Sequence, residues 1–205
     1  MSSAPAIPRA SVTIEQYLSF ERASLERHEY VDGRLMAMAG ESLEHGIISV
    51  NLVNSFATQL KGTPCFVLSK DTKVRSGLGI VSVTSSSGMF SYPDLLVVCG
   101  EAEVLDEHRD VIINPVVIAE VLSNSTEAFD RGEKFHRYRT WNPTLKEYLL
   151  ISQTKPQVEH FVRQPNGTWN MREFTGLDAT VTLTSIPCVL KSADTFDRVV
   201  FPDNI

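Results

Sequence analysis

At 205 residues, with 42% hydrophobic and 21% charged side chains, the chain has material for one globular domain with a small appendage. A formal net charge of −6 argues against a protein that coats nucleic acid through bulk charge, while leaving room for a local basic groove. No apolar run approaches the roughly 20 residues that a bilayer span requires, so no membrane partner is expected.

Residues 1–12 hold Pro5 and Pro8 and no apolar core, which predicts a flexible start that is neither signal peptide nor anchor. Ser11 or Thr13 caps a short helix running to about Phe20. Glu29 to Met38 reads as a hairpin turning on Asp32-Gly33. The longest helix runs from about Leu43 to Lys61 and ends at Gly62-Thr63-Pro64. Its apolar stripe is predicted along Leu43, Ile47, Val50 and Ala57, broadened by Ile48, Leu52, Phe56 and Leu60. Cys65 to Leu68 and Thr72 to Arg75 are strand material. Ser76 to Phe90 reads as a mobile, Gly/Ser-rich surface loop with room for a short strand at Ile80 to Val83. Cys65, Cys99 and Cys188 are widely spaced and include no Cys-x-x-Cys pair. Neither a disulfide framework nor a zinc site is expected, and this usage suits a reducing cytoplasm.

Tyr92 to Val98 and Pro115 to Leu122 then read as two apolar strands, each carrying one carboxylate, Asp94 and Glu120. Strands this apolar have both faces covered, so a lone acid in each is costly unless it is paired or bound to a cation. The following helix starts near Thr126 or Asp130, with Asp130-x-x-Glu133 in the spacing of a cap, and stops at Asn142-Pro143. Glu147 to Ser152 is a buried strand, and a hairpin turns on Gln164-Pro165-Asn166-Gly167. Val181 to Leu190 is more strand, and residues 191–205 form a tail. The expectation is one domain over residues 13–190, an α/β fold with a mixed sheet flanked by helices and hairpins added at both ends.

Two carboxylates converging from neighbouring strands, with an ammonium nearby, are the parts of a magnesium-dependent phosphodiester hydrolase. The same residues carry a family resemblance. Tyr92-Pro93-Asp94, Asn114-Pro115 leading to Glu120-Val121-Leu122-Ser123, Asp130 to Phe135, and Glu147-Tyr148 follow in order, preceded by Glu29-Tyr30-Val31-Asp32-Gly33 and His45. This set resembles the Uma2 family, bacterial and largely cyanobacterial proteins of restriction-endonuclease-like fold grouped by the PD-(D/E)XK motif. The resemblance spans roughly Thr13 to Ser152; Asn124 stands where the family commonly has proline. It implies that fold and an endonuclease activity.

In the D/E-x-K frame Glu120 is the acid, but Leu122 occupies the lysine position. Some families of this fold recruit the lysine from the next helix, and Lys134 is the candidate. Helical spacing puts Arg131, Lys134, Tyr138 and Trp141 on one face, with the alternative that Lys134 merely snorkels past an apolar edge. The expected catalytic set is Asp94, Glu120 and Lys134, with Asp94 and Glu120 holding Mg2+ or Mn2+. The two carboxylates should lie within about 6 Å of each other, and the lysine nitrogen within roughly 3 to 6 Å of them. His45, Glu29 and Glu44 are possible accessories, each with a structural alternative as a cap or hairpin acid. Arg131, Arg137 and Arg139 are candidates to grip a phosphate backbone, against the alternative of a solvated helix face.

P-loop, nucleophile-elbow, zincin and dinucleotide-binding motifs are absent, and nothing marks the aromatic cleft of a glycosidase. The sequence thus predicts a divalent-metal-dependent endonuclease acting on DNA, as a homodimer, since cutting both strands needs two active sites. The rival is a non-catalytic protein of the same fold acting as a binding or assembly module, which Leu122 and the acidic charge favour.

Overall fold

The computed structural model describes residues 11–38, 40–77 and 85–202. Helix α1 (Ile14–Ala23) opens on a capping box: the Thr13 hydroxyl accepts the Gln16 N–H while the Gln16 side chain accepts the Thr13 N–H. Strands β1 (His28–Val31) and β2 (Arg34–Ala37) form the expected hairpin, and Asp32 and Gly33 both take positive φ, 44° and 86°. That turn matches the right-handed twist of its strands.

Helix α2 (Leu43–Leu60) begins where the Ser42 hydroxyl accepts the His45 N–H, and Gly62, at φ +80°, turns the chain out of it. It buries Ile48, Leu52, Phe56 and Leu60, but Leu43 is 75% and Val50 68% exposed. The stripe predicted to be primary therefore faces outward. Both stripes have helical period, so periodicity alone could not choose between them.

Two sheets follow from the strand pairings. The larger has the order β11-β10-β9-β8-β6-β3, built from β3 (Cys65–Ser69), β6 (Leu95–Cys99), β8 (Val117–Leu122), β9 (Glu147–Ser152), β10 (Gln157–Arg163) and β11 (Trp169–Thr175). It is mixed, with β8 parallel to β9 and its other pairs antiparallel. The second has the order β2-β1-β5-β4-β7, adding β4 (Lys73–Ser76), β5 (Met89–Ser91) and β7 (Val111–Ile112). The end of the segment read as a surface loop is thus the buried strand β5. The strand expected at residues 80–83 lies outside the described residues.

One face of the large sheet packs Leu95, Val97, Val117, Ala119 and Val121 on α2, with Leu183, Leu190 and Phe196 closing that layer. Phe196 follows β12 (Thr180–Thr182), β13 (Val189–Lys191) and α5 (Ser192–Thr195), within the stretch set down as a tail. The other face packs Leu96, Ile118, Leu122 and Leu150 against Phe135, Tyr138 and the second sheet. Near that sheet's far edge Arg22 and Lys73 both grip Asp110, at 2.8 and 2.9 Å.

A continuous helical stretch crosses this second face: α3 (Glu127–Phe129), a π-helical turn (Asp130–Lys134) and α4 (Phe135–Trp141). Asp130 is therefore inside the helix and buried, not its cap; the Ser123 hydroxyl accepts the Thr126 N–H at the start instead. Because a π turn takes more residues per turn, Asp130 and Lys134 align inward while Arg131 swings out.

The cysteine expectation is also corrected. Antiparallel pairing sets Cys65 opposite Cys99, and the two are joined by a disulfide, leaving Cys188 free and buried. Long sequence separation hid a cross-strand neighbour, and the cysteine argument for a reducing compartment falls with it. Among the described residues no helix is long and apolar enough to cross a membrane.

Candidate active site

The register of the large sheet brings the two strand acids together. Leu95 pairs with Ala119, so one step outward Asp94 stands opposite Glu120, and opposed residues share a sheet face. Pro93 has no N–H to offer at this strand start. Asp94 fills the gap that β6 leaves by accepting the Val121 N–H on Oδ2 at 2.7 Å. Its Oδ1 lies 2.8 Å from His45 Nε2, which the first turn of α2 presents from the other side. Glu41, four residues before His45, approaches Nε2 to 3.8 Å and is paired with Lys70. One donor atom from each of Glu41, His45 and Asp94 lies within 4.8 Å of the others.

The π turn delivers the ammonium. Lys134 is only 4% exposed, and its Nζ lies 2.9 Å from Glu29, 3.1 Å from Glu120 and 3.2 Å from Asp130. All three are ion-pair contacts, and Asp130 Oδ1 is buried without a hydrogen-bond partner. Tyr138 donates its hydroxyl to Glu120 at 3.2 Å, and Tyr148 donates to the Asp130 carbonyl at 3.0 Å, pinning the turn to the sheet.

Three carboxylates, Glu29, Glu120 and Asp130, thus surround one buried ammonium, and a fourth, Asp94, lines the same cleft. Burial pushes the Glu120 carboxyl well above the usual carboxylate range; Lys134 opposes this, while Asp130, Asp94 and Glu29 add to it. Burial works against the Lys134 charge, yet Glu120 and Glu29 hold its pKa well above the ordinary lysine value. The ammonium stays charged, and the surplus negative charge calls for a proton or a cation.

These groups line one cleft of about 1090 Å³, whose lip includes Leu25, Met36 and Met38. Asp94, Glu120, Lys134, His45 and Glu29 all reach it. Glu44 does not: it lies one helical step from His45 and does not line the cleft. The three arginines miss it as well. Arg131 pairs with Glu127 and Glu159, and Arg137 is buried between Asp32 and Glu133. Arg139 is exposed and lies over the Phe135 ring at 5.4 Å. Arg131 and Arg137 turn their forks to acids of this chain. Glu41 and Asp130 were missed in the sequence, although each stands four residues before a candidate, His45 and Lys134, the spacing of helical neighbours.

Comparison with known proteins agrees with this architecture. The profile of the Uma2 family, described as "putative restriction endonuclease", matches residues 14–193. Two uncharacterized proteins of Synechocystis sp. are similar to the chain. One is 34% identical over 178 residues, 87% of this chain and 88% of its own length. The other is 31% identical over 170 residues, 83% and 91% respectively. A crystal structure described as a putative nuclease from Anabaena variabilis superposes with a TM-score of 0.72 at 16% identity, covering 92% of this chain and 99% of that one. At that identity the likeness establishes the shared fold, the restriction-endonuclease-like one.

Proposed function

This chain belongs to the Uma2 family, and we propose that it is a divalent-metal-dependent endonuclease that hydrolyses phosphodiester bonds in DNA. The observation that carries the reading is the buried Lys134 ammonium held among Glu29, Glu120 and Asp130 in the cleft that Asp94 lines. Core packing alone gives no reason to bury four acids with one lysine.

The donor set suits a hard divalent cation. Asp94 and Glu120 offer carboxylate oxygens, His45 and Glu41 flank Asp94, and the acid surplus compensates a double positive charge. When bound, such an ion supplies Lewis acidity at a phosphate oxygen and lowers the pKa of a water. This chain's own residues do the rest. The Val121 N–H and His45 fix the Asp94 carboxylate, and Tyr138 fixes Glu120. Lys134 balances negative charge developing on the phosphate.

The test is plasmid nicking with Mg2+ or Mn2+, comparing wild type with Asp94→Ala and Lys134→Met. Metal-dependent nicking lost in Asp94→Ala is expected. Nicking that survives EDTA or is unchanged in Asp94→Ala refutes the assignment. The cleft's net acidity and the paired arginines favour one other reading, a non-catalytic binding module of the same fold. Absence of cleavage on single- and double-stranded substrates, with partner binding retained by Asp94→Ala, would select that reading.

A further inference from the structure

The outward stripe of α2 has a pattern of its own. Leu43, Ile47, Val50, Asn54, Ala57 and Lys61 recur in alternating steps of four and three, the spacing of a helix–helix seam. Ile47 is half-buried and the other five are exposed. Between Glu44 and Lys61 the helix carries no Asp, Glu, Lys or Arg at all. A surface helix ordinarily turns its charges to water, whereas the first half of this stripe turns Leu43, Ile47 and Val50 there.

We infer that this face docks a second copy of the chain, with the two α2 helices antiparallel across a two-fold axis. The seam is complementary to itself in side-chain size and in end charge. In antiparallel register Leu43 opposes Lys61 of the partner subunit, Ile47 opposes its Ala57 and Val50 opposes its Asn54, each pair occurring twice. Bulky Ile47 meets small Ala57, and the Lys61 stem covers Leu43 while its ammonium reaches toward the partner's Glu44. The charges at the two ends of the helix are of opposite sign, so reversal brings them together. A parallel pairing would instead stack Lys61 on Lys61 and Glu44 near Glu44. Asn54 near the centre costs affinity and specifies register, as a polar seam residue does.

The seam lies opposite the face that presents His45 to the cleft, so docking leaves both clefts open. With α2 paired about Leu52, the two His45 positions are about 21 Å apart along the helix axes, at 1.5 Å per residue. A single helix seam is at the low end of stable interface size, so a weak, concentration-dependent dimer is expected. The inference is independent of what the cleft does.

Sedimentation equilibrium of the full chain from about 1 to about 200 µM tests it. The mass should rise from 22.8 kDa toward twice that value. Val50→Glu should stay monomeric throughout while keeping the wild-type circular dichroism and melting temperature, because this side chain faces solvent. Lys61→Glu should weaken association by about tenfold, since the symmetric interface gains two like-charge contacts. Adding Glu44→Lys should restore it. A wild type monomeric at every concentration, or a Val50→Glu variant that still dimerises, overturns the docking face. A charge swap that fails to restore association overturns the antiparallel register.

Discussion

Replacing Lys134 by methionine removes one charge from the centre of the cleft while keeping a stem of similar length. Its Nζ contacts Glu120 and Glu29 at 3.1 and 2.9 Å, both buried. At an effective dielectric near 20, each such contact is worth about 5 kcal/mol of attraction before desolvation is subtracted. Breaking a buried pair from one side leaves its partner uncompensated, at a net cost of about 3–5 kcal/mol. Lys134→Met should therefore lose about that much stability in urea unfolding with EDTA present, out of a typical total of about 5–15 kcal/mol. Glu120→Gln in the same background removes part of the unpaired negative charge. The double variant should then be more stable than the sum of the single losses predicts, by about 1–3 kcal/mol. In the nicking assay, corrected for folded fraction, Lys134→Met should cut the rate by about 100-fold, about 2.7 kcal/mol of barrier. A stability loss below about 1 kcal/mol, or strictly additive single changes, would show that the ammonium is not held as the distances imply.

Three further outcomes follow from particular contacts. In calorimetric titration His45→Ala should weaken Mn2+ binding more than Mg2+ binding, because imidazole favours the transition ion; equal losses would remove His45 from the metal set. Arg137→Ala should cost about 1.5–3 kcal/mol of stability through its pairs with Asp32 and Glu133, with little effect on DNA affinity; a large drop in affinity at unchanged stability would reverse this. Asp110 has its carboxyl lowered below the ordinary 3.8: burial opposes this, but hydrogen bonds from Arg22 and Lys73 outweigh burial. A depressed acid contributes stability above its unfolded pKa and loses it progressively as pH falls toward its folded pKa, so the gap in melting temperature between wild type and Asp110→Asn should begin to narrow below about pH 4. A gap that is constant from pH 7 to pH 3 would refute it.

Much of the scaffold was legible because local chemistry and tertiary packing agree there. Asp32-Gly33 demands positive φ, Thr13 and Gln16 cap each other, and Asp94 and Glu120 interrupt runs that are otherwise wholly apolar. What was not legible depends on partners distant in sequence. The burial of β5 arises from pairing with β1 and β4 on either side, so Met89 and Phe90 looked like the end of a Ser-rich loop. The Cys65–Cys99 bond exists because β3 and β6 are neighbours, which spacing does not reveal. Arg131 was placed with Lys134 by a 3.6-residue period that the π turn does not obey.

That π turn also shows how an ammonium reaches Glu120 although position 122 is leucine. A lysine at position 122 would share the Glu120 face of β8 and place an ammonium in the layer where Leu122 packs with Phe135 and Tyr148. Keeping leucine there preserves a continuous apolar floor beneath the helix. The charge instead comes from above, and the wider turn brings Asp130 with it as a partner on the same helix. The position of the ammonium is then set by how that helix docks. Phe135 stacks on Tyr148 at 4.9 Å, Tyr148 holds the Asp130 carbonyl, and Tyr138 bridges Ser91 and Glu120. The aromatic layer between helix and sheet is therefore part of the site's geometry, since it fixes the distance between the lysine and the acid that the strand motif alone would have set.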